Sequence, residues 1–157
     1  MDYNIRKIKE NEYKLLEDFI YEAIFIPEGV EPPPKSIIKN PDLQVYIKNF
    51  GKYSDDNCLV ATVNDKVIGA VWTRIMNDYG HIDNNTPSFA ISLYKEYRGF
   101  GIGTNMMIKM LNLLKTYGYQ KASLSVQKNN YAFNMYLNVG FKVIDENDEE
   151  YIMVAYL

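Results

Sequence analysis

Cysteine is nearly absent from this chain: 157 residues include one, Cys58. A lone thiol excludes an internal disulfide framework and a cysteine zinc cluster. Long apolar runs are missing too. No stretch approaches the roughly 20 apolar residues of a membrane span, and the opening "MDYNIRKIKENEYKLL" has no small-residue cleavage site. Runs of basic residues are also lacking. The formal net charge is -3, which argues against nucleic acid as a partner. These absences lead us to expect a cytoplasmic protein with neither membrane nor nucleic acid as partner.

What is present describes an ordinary globular chain, 47% hydrophobic and 24% charged. The length suits one domain over residues 1–157, without repeats, low-complexity tracts or an interdomain linker. "YNIRKI" (Tyr3 to Ile8) reads as a first strand. Tyr13, Leu16, Ile20 and Ile24 recur at helical spacing and predict a helix over Glu10 to Phe25. "IPEGVEPPPK" (Ile26 to Lys35) then cancels helix and strand alike and is a stiff loop. A second helix is expected from Asn40, a good cap, with Pro41 in its first turn and Gly51 past its end.

"CLVATV" (Cys58 to Val63) and "KVIGAVWTRI" (Lys66 to Ile75) form an expected hairpin around Asn64 and Asp65. "SFAISL" (Ser88 to Leu93) is strand-like, and "KEYRGFGIG" connects it to a helix ending near Tyr117 and Gly118. "ASLSV" (Ala122 to Val126) is a strand, followed by a helix from Asn129 or Asn130 to about Val139. "FKVI" and "EEYIMVAYL" close the chain as strands across an acidic turn. The fold class is mixed α/β (α+β) around one sheet. The alternating pattern of "EEYIMVAYL" also suits an edge that could pair between subunits of a homodimer.

Three glycines, Gly99, Gly101 and Gly103, stand at the mouth of the helix that starts in "YRGFGIGTNMM". The first turn of a helix presents N–H groups without partners and a partial positive charge. Residues without Cβ let a bulky anion approach those groups closely, and Arg98 can add a charge-assisted contact. Such a loop suits a diphosphate. The dinucleotide fingerprint G-x-G-x-x-G fails, because Thr104 stands where its third glycine belongs. A P-loop fails for want of a lysine after Gly103.

"RGFGIG", Arg98 to Gly103, resembles the R/Q-x-x-G-x-G/A signature of the GNAT acetyltransferases. "NNYAFNMYLNVGF" is similar to that family's second motif, with Asn129, Ala132, Tyr136 and Gly140 spaced three, four and four apart. The resemblance implies a twisted sheet of about seven strands, splayed between the fourth and fifth, with about four helices around it. It implies acetyl-CoA as co-substrate and no metal. Its pantetheine arm would pair with Ile91, Ser92 and Leu93. Its diphosphate would lie on Arg98, Gly99, Phe100, Gly101, Ile102, Gly103 and Thr104, and Asn129 would touch the arm. Tyr136 would be the general acid for the leaving thiolate, and a backbone N–H near Leu93 the oxyanion donor.

The general base is left open. Neither "SFAISL" nor "ASLSV" holds a carboxylate, and the loop candidates are His81, Asp83, Glu28 and Glu31; direct attack by a neutral amine needs none. The segments Phe25 to Ile37 and Asn77 to Pro87 are expected on the acceptor side. Glu28, Glu31, Asp78 and Asp83 would make that side acidic and favour a cationic amine, with Phe25, Trp72 and Tyr79 as wall or core. The acceptor is expected to be a small-molecule or peptide amine. An antibiotic, a polyamine, an amino acid and a protein N-terminus all fit. The competing expectation is a catalytically silent acyl-CoA-binding module.

Overall fold

Alternation of apolar residues and turn signals gives seven strands: β1 (Asn4–Lys7), β2 (Asn57–Val63), β3 (Lys66–Arg74), β4 (Ser88–Leu93), β5 (Lys121–Gln127), β6 (Lys142–Glu146) and β7 (Glu150–Tyr156). The computed structural model describes residues 1–157. One sheet contains all seven, in the order β1-β2-β3-β4-β5-β7-β6. Helices α1 (Leu16–Glu22), α2 (Pro41–Gln44), α3 (Ile102–Thr116) and α4 (Ala132–Asn138) flank it. The β2–β3 hairpin turns at Asn64 (φ 50°) and Asp65 (φ 66°), two left-handed residues as a type I′ turn requires.

Both faces of the sheet are covered, which explains why β2 and β3 read as nearly continuous apolar runs. On one face Met106, Met107, Met110 and Leu114 of α3 pack over Val71, Phe89 and Leu124. On the other, Leu16, Phe19 and Ile20 of α1 pack over Val60, Ala70 and Trp72. Successive β4 residues alternate between these faces: Phe89, Ile91 and Leu93 turn to α3, Ala90 to α1.

The splay lies where the family resemblance places it. β4 and β5 run parallel and pair only at Ser88 and Ser123, with the Ser123 amide donating to Pro87 O at 3.0 Å. Beyond that point they diverge, so the C-terminal half of β4 has a strand, β3, on one side only.

Several boundaries differ from the sequence expectation. The helix expected over Glu10 to Phe25 is a 3-10 segment (Glu10–Leu15) followed by α1. Glu12 is drawn back to the Lys9 amide and to the Arg6 guanidinium, which tightens the first turn. Asn40 does cap α2, accepting from the Asp42 amide at 3.0 Å with Pro41 next to it. That helix then gives way to turns at Val45, because Arg74 Nη1 takes the carbonyls of Val45 (3.2 Å) and Lys48 (2.9 Å). Helix α4 begins at Ala132, whose amide donates to Asn130 Oδ1 at 2.9 Å. The strand in "EEYIMVAYL" is no edge: β7 lies between β5 and β6, and the edge on that side of the sheet is β6.

Candidate active site

The glycine loop forms an anion cradle from local geometry alone. Gly99 (φ 85°) and Gly101 (φ 81°) adopt left-handed backbone that other residues avoid. Gly101 caps α3, and the first helical bond runs from the Asn105 amide to Gly101 O at 3.2 Å. The N–H groups of Ile102, Gly103 and Thr104 therefore have no partner within the helix. Gly103 has a different constraint. A Cβ there would stand 3.4 Å from Leu93 Cδ1, 3.6 Å from Met135 Sδ and 3.9 Å from Ile91 Cδ1. It would occupy the space between α3, β4 and α4.

That space is a cleft of about 690 Å³, within the usual range for small-molecule sites. Ile91, Ser92, Leu93, Arg98, Gly99, Gly101, Gly103, Thr104 and Tyr136 all line it. Three expected site residues do not. Phe100 projects into solvent, the Ile102 side chain is in the core, and Asn129 is exposed while its neighbour Asn130 lines the cleft. Phe100 and Ile102 can offer main-chain groups only.

One wall is the free side of β4. The Tyr94 amide donates to Ile68 O at 3.0 Å, so by antiparallel alternation Ala90 and Ser92 also bond to β3. Ile91 and Leu93 thus direct their main-chain groups into the splay. Ser92 faces the other way, its hydroxyl donating to Phe19 O at 2.6 Å. That bond fastens α1 to β4.

Arg98, expected to add a charge-assisted contact to a diphosphate, lines the cleft and is also tied to the fold. Its Nε donates to Leu93 O at 2.9 Å, and its Nη2 to Glu22 O at 3.2 Å and Glu22 Oε2 at 3.1 Å. The guanidinium joins the end of α1 to the end of β4 and so shapes the rim of the cleft. Lys95 also lines the cleft. Sequence reading missed Glu22, because its partner lies 76 residues on and no local pattern marks the pair.

Tyr136 extends from α4, its ring 6.1 Å from that of Phe141. Burial pushes its phenol up to about 12, with Tyr131 as the lesser cause. The phenol therefore stays protonated at neutral pH.

The opposite wall comes from α1 and the proline-rich loop: Tyr21, Ile24, Phe25, Ile26, Val30, Pro32 and Pro33. Tyr21 donates to Pro33 O at 2.5 Å, pinning the loop. Glu28 and Glu31 are exposed and line no part of the cleft. Asp83 pairs with Lys121 at 3.3 Å, and His81 leaves a buried Nδ1 without a partner. Trp72 is core, donating to Tyr46 O at 3.0 Å, and Tyr79 is exposed. Of the acidic residues expected on the acceptor side, Asp78 is the one built into the fold. Ser88 Oγ donates to its Oδ1 at 2.9 Å and Tyr46 OH to its Oδ2 at 3.0 Å. Burial raises the Asp78 carboxyl above its ordinary value, against those two hydrogen bonds and His81, which lower it.

A mixed sheet opened between two parallel strands, with a helix N-terminus at the mouth of the opening, defines the class of fold. The profile of the acetyltransferase (GNAT) family matches residues 21–141, well over half of the chain, and the chain belongs to that family. No curated protein sequence matches it. Among solved structures it is similar to the PaiA N-acetyltransferase of Thermoplasma acidophilum in complex with coenzyme A (TM-score 0.72, 21% identity, all of both chains covered). It is also similar to the ribosomal-protein-S18-alanine N-acetyltransferase of Escherichia coli (TM-score 0.68, 14% identity, 99% of this chain and 94% of that one). A Bacillus anthracis protein in complex with acetyl coenzyme A aligns likewise (TM-score 0.68, 20% identity, 100% and 99%). At such identities the likeness concerns the fold. No helix is long and apolar enough to cross a membrane.

Proposed function

We propose that this chain is an acetyl-CoA-dependent N-acetyltransferase acting on a primary amine of a small molecule or peptide. The observation that carries this is one cleft lined by three separate features: the free side of β4, the unpaired amides at the start of α3, and Tyr136. The residues fit the co-substrate. The amides of Ile91 and Leu93 and the carbonyl of Ile91 would be open to an extended amide-bearing arm, Leu93 O being held by Arg98, and the arm would add to the sheet as a further strand does. The amides of Ile102, Gly103 and Thr104 would hold the diphosphate, and the missing Cβ of Gly103 leaves room for it. Asn130, which lines the cleft, would stand beside the arm where Asn129 was foreseen.

When bound, acetyl-CoA supplies an activated acyl group; this chain's residues align it, exclude water and handle charge. Main-chain amides of the open side of β4 would offer hydrogen bonds to the carbonyl oxygen as it gains negative charge. Tyr136 serves the leaving sulfur. Its phenol stays protonated at neutral pH because burial raises it, and the same burial would raise a thiol beside it. Tyr136 therefore acts as a hydrogen-bond donor to the sulfur as the C–S bond breaks, and water completes the protonation.

The experiment is an acetyl-CoA turnover assay with a panel of primary amines, followed by release of free thiol. Amine-dependent thiol release supports the proposal. The competing reading, a silent acyl-CoA-binding module, rests on the absence of carboxylates from β4 and β5. Binding of acetyl-CoA without turnover of any amine would favour it.

A further inference from the structure

Acyl transfer from a thioester to an amine leaves two protons to remove from a protonated amine, and the cleft lining assigns no group to the first of them. Its one carboxylate, Glu22, is bound to Arg98. The group that answers lies on the other face of the sheet, at the fork itself. We propose that Asp78 is the general base of the reaction, held in place by Ser88 and Tyr46 and receiving the ammonium proton of the acceptor. This rests on the acetyltransferase reading above.

The placement is specific. Ser88 is the residue at which β4 and β5 make their single pairing, so the carboxylate bonded to its hydroxyl stands at the apex of the splay. Tyr46, which holds the other carboxylate oxygen, packs with Ala90, Trp72 and Phe19 on the α1 face. Asp78 is therefore on the α1 face, whereas Tyr136 packs with α3 and α4 on the opposite one. Acid-side and base-side groups thus flank the opening, as an incoming amine and a departing sulfur on two sides of one carbonyl require.

The surrounding loop is built to hold this position. Ser123 Oγ donates to Gly80 O at 2.7 Å, and a Cβ on Gly80 would stand 3.0 Å from the Leu124 carbonyl carbon. Only a glycine lets the loop lie so close on β5. Asp78 keeps partial exposure, as do Tyr46, Ala90 and Ser125. Asp78 does not itself line the cleft; from Ser88 to Ile91, the first β4 residue whose main chain faces the splay, is about 10 Å along the strand, so the proton reaches the carboxylate through bridging water. The other titratable groups nearby are His81 on the same loop and Glu150 at the start of β7, which acts through Tyr46. The upward shift of the Asp78 carboxyl makes it a better proton acceptor than an exposed aspartate.

The proton and bond changes close. The ammonium gives one proton to Asp78, the neutral nitrogen forms the N–C bond, and the C–S bond breaks against the Tyr136 hydrogen bond. The second nitrogen proton leaves to water, the thiolate takes a proton from water, and Asp78 releases its proton to solvent.

The test compares phenethylamine with its β,β-difluoro analogue, whose fluorines lower the basicity of the amine so that far more of it is neutral at pH 7. An amine that is already neutral needs no base. For Asp78→Asn, kcat/KM for phenethylamine at pH 7 is expected to fall about 100-fold, while that for the difluoro amine changes less than about fivefold. The Kd for acetyl-CoA and the Tm are the controls. Ser88→Ala and Tyr46→Phe, each removing one hydrogen bond, should show the same dependence on the amine at smaller size, and they carry the test if Asp78→Asn does not fold. Equal losses on both amines, or no loss on either, would overturn the assignment of Asp78 alone. A wild-type protein that binds acetyl-CoA but acetylates neither these amines nor any member of the primary-amine panel above would overturn the acetyltransferase reading and the base with it.

Discussion

Replacing Gly103 by alanine should move stability and cofactor affinity in opposite directions. Gly103 has ordinary helical backbone in the first turn of α3, and glycine in a helix costs about 0.5–1 kcal/mol relative to alanine. The added Cβ would meet Leu93 Cδ1 at 3.4 Å and Met135 Sδ at 3.6 Å, contacts of ordinary van der Waals length. Nothing must shift to admit it. The unliganded protein should therefore gain stability, raising Tm by about 1–4 °C for a domain of this size. The same methyl fills the space over an amide assigned to the diphosphate. Losing one charge-assisted hydrogen bond costs about 1.5–3 kcal/mol, which weakens Kd for coenzyme A about ten- to 150-fold. Calorimetric titration with coenzyme A and a melting curve without it read the two effects separately. A higher Tm with unchanged affinity would refute the cradle, because the methyl would then stand where no phosphate lies.

Tyr136→Phe should lower kcat by about 100-fold or more and leave Kd for acetyl-CoA within twofold; steady-state kinetics beside calorimetry check this, and unchanged kcat would remove Tyr136 from the chemistry. Asp56→Ala strands Arg74, whose side chain is 5% exposed and bonded to Asp56 at 2.9 Å. A buried ion pair broken on one side costs about 3–5 kcal/mol, readable as a lower urea midpoint. Glu12→Gln tests a pH effect. The Arg6 hydrogen bond is the largest cause holding the Glu12 carboxyl down at about 2, against 4.5 ordinarily. Its folded pKa is depressed, so the stabilisation is present above about 4.5 and disappears as pH falls through about 2. With the Arg6 side chain one-third exposed, solvent screening limits it to about 1 kcal/mol. Urea unfolding should show wild type more stable than Glu12→Gln at pH 7, the gap closing between pH 4.5 and 2.

On the proposed mechanism, the groups that give and take protons belong to segments outside β4 and β5. β4 and β5 themselves present serines and apolar residues. Anything that titrates must be brought to the fork by neighbouring segments: Tyr136 by α4 from one face, Asp78 by the loop before β4 from the other.

Short-range physics was legible in the residues alone. Left-handed backbone at Gly99 and Gly101, the Asn40 cap, the Asn64–Asp65 turn and the positions of α3 and β4 follow from steric limits and hydrogen bonds within a few residues. So did the spacing that places Tyr136 on the cleft. Tertiary structure decided what depends on partners far along the chain. Arg98 bonds to Glu22 and Leu93, Arg74 takes the carbonyls that would have extended α2, and β7 enters the sheet between β5 and β6. Asp78, one of four acidic residues the sequence offered for the acceptor side, is set apart from the others by Ser88 and Tyr46, ten residues after it and 32 before it, which close on its two oxygens. Local rules govern where the backbone can turn; which long side chain satisfies which buried charge is settled by the packed fold.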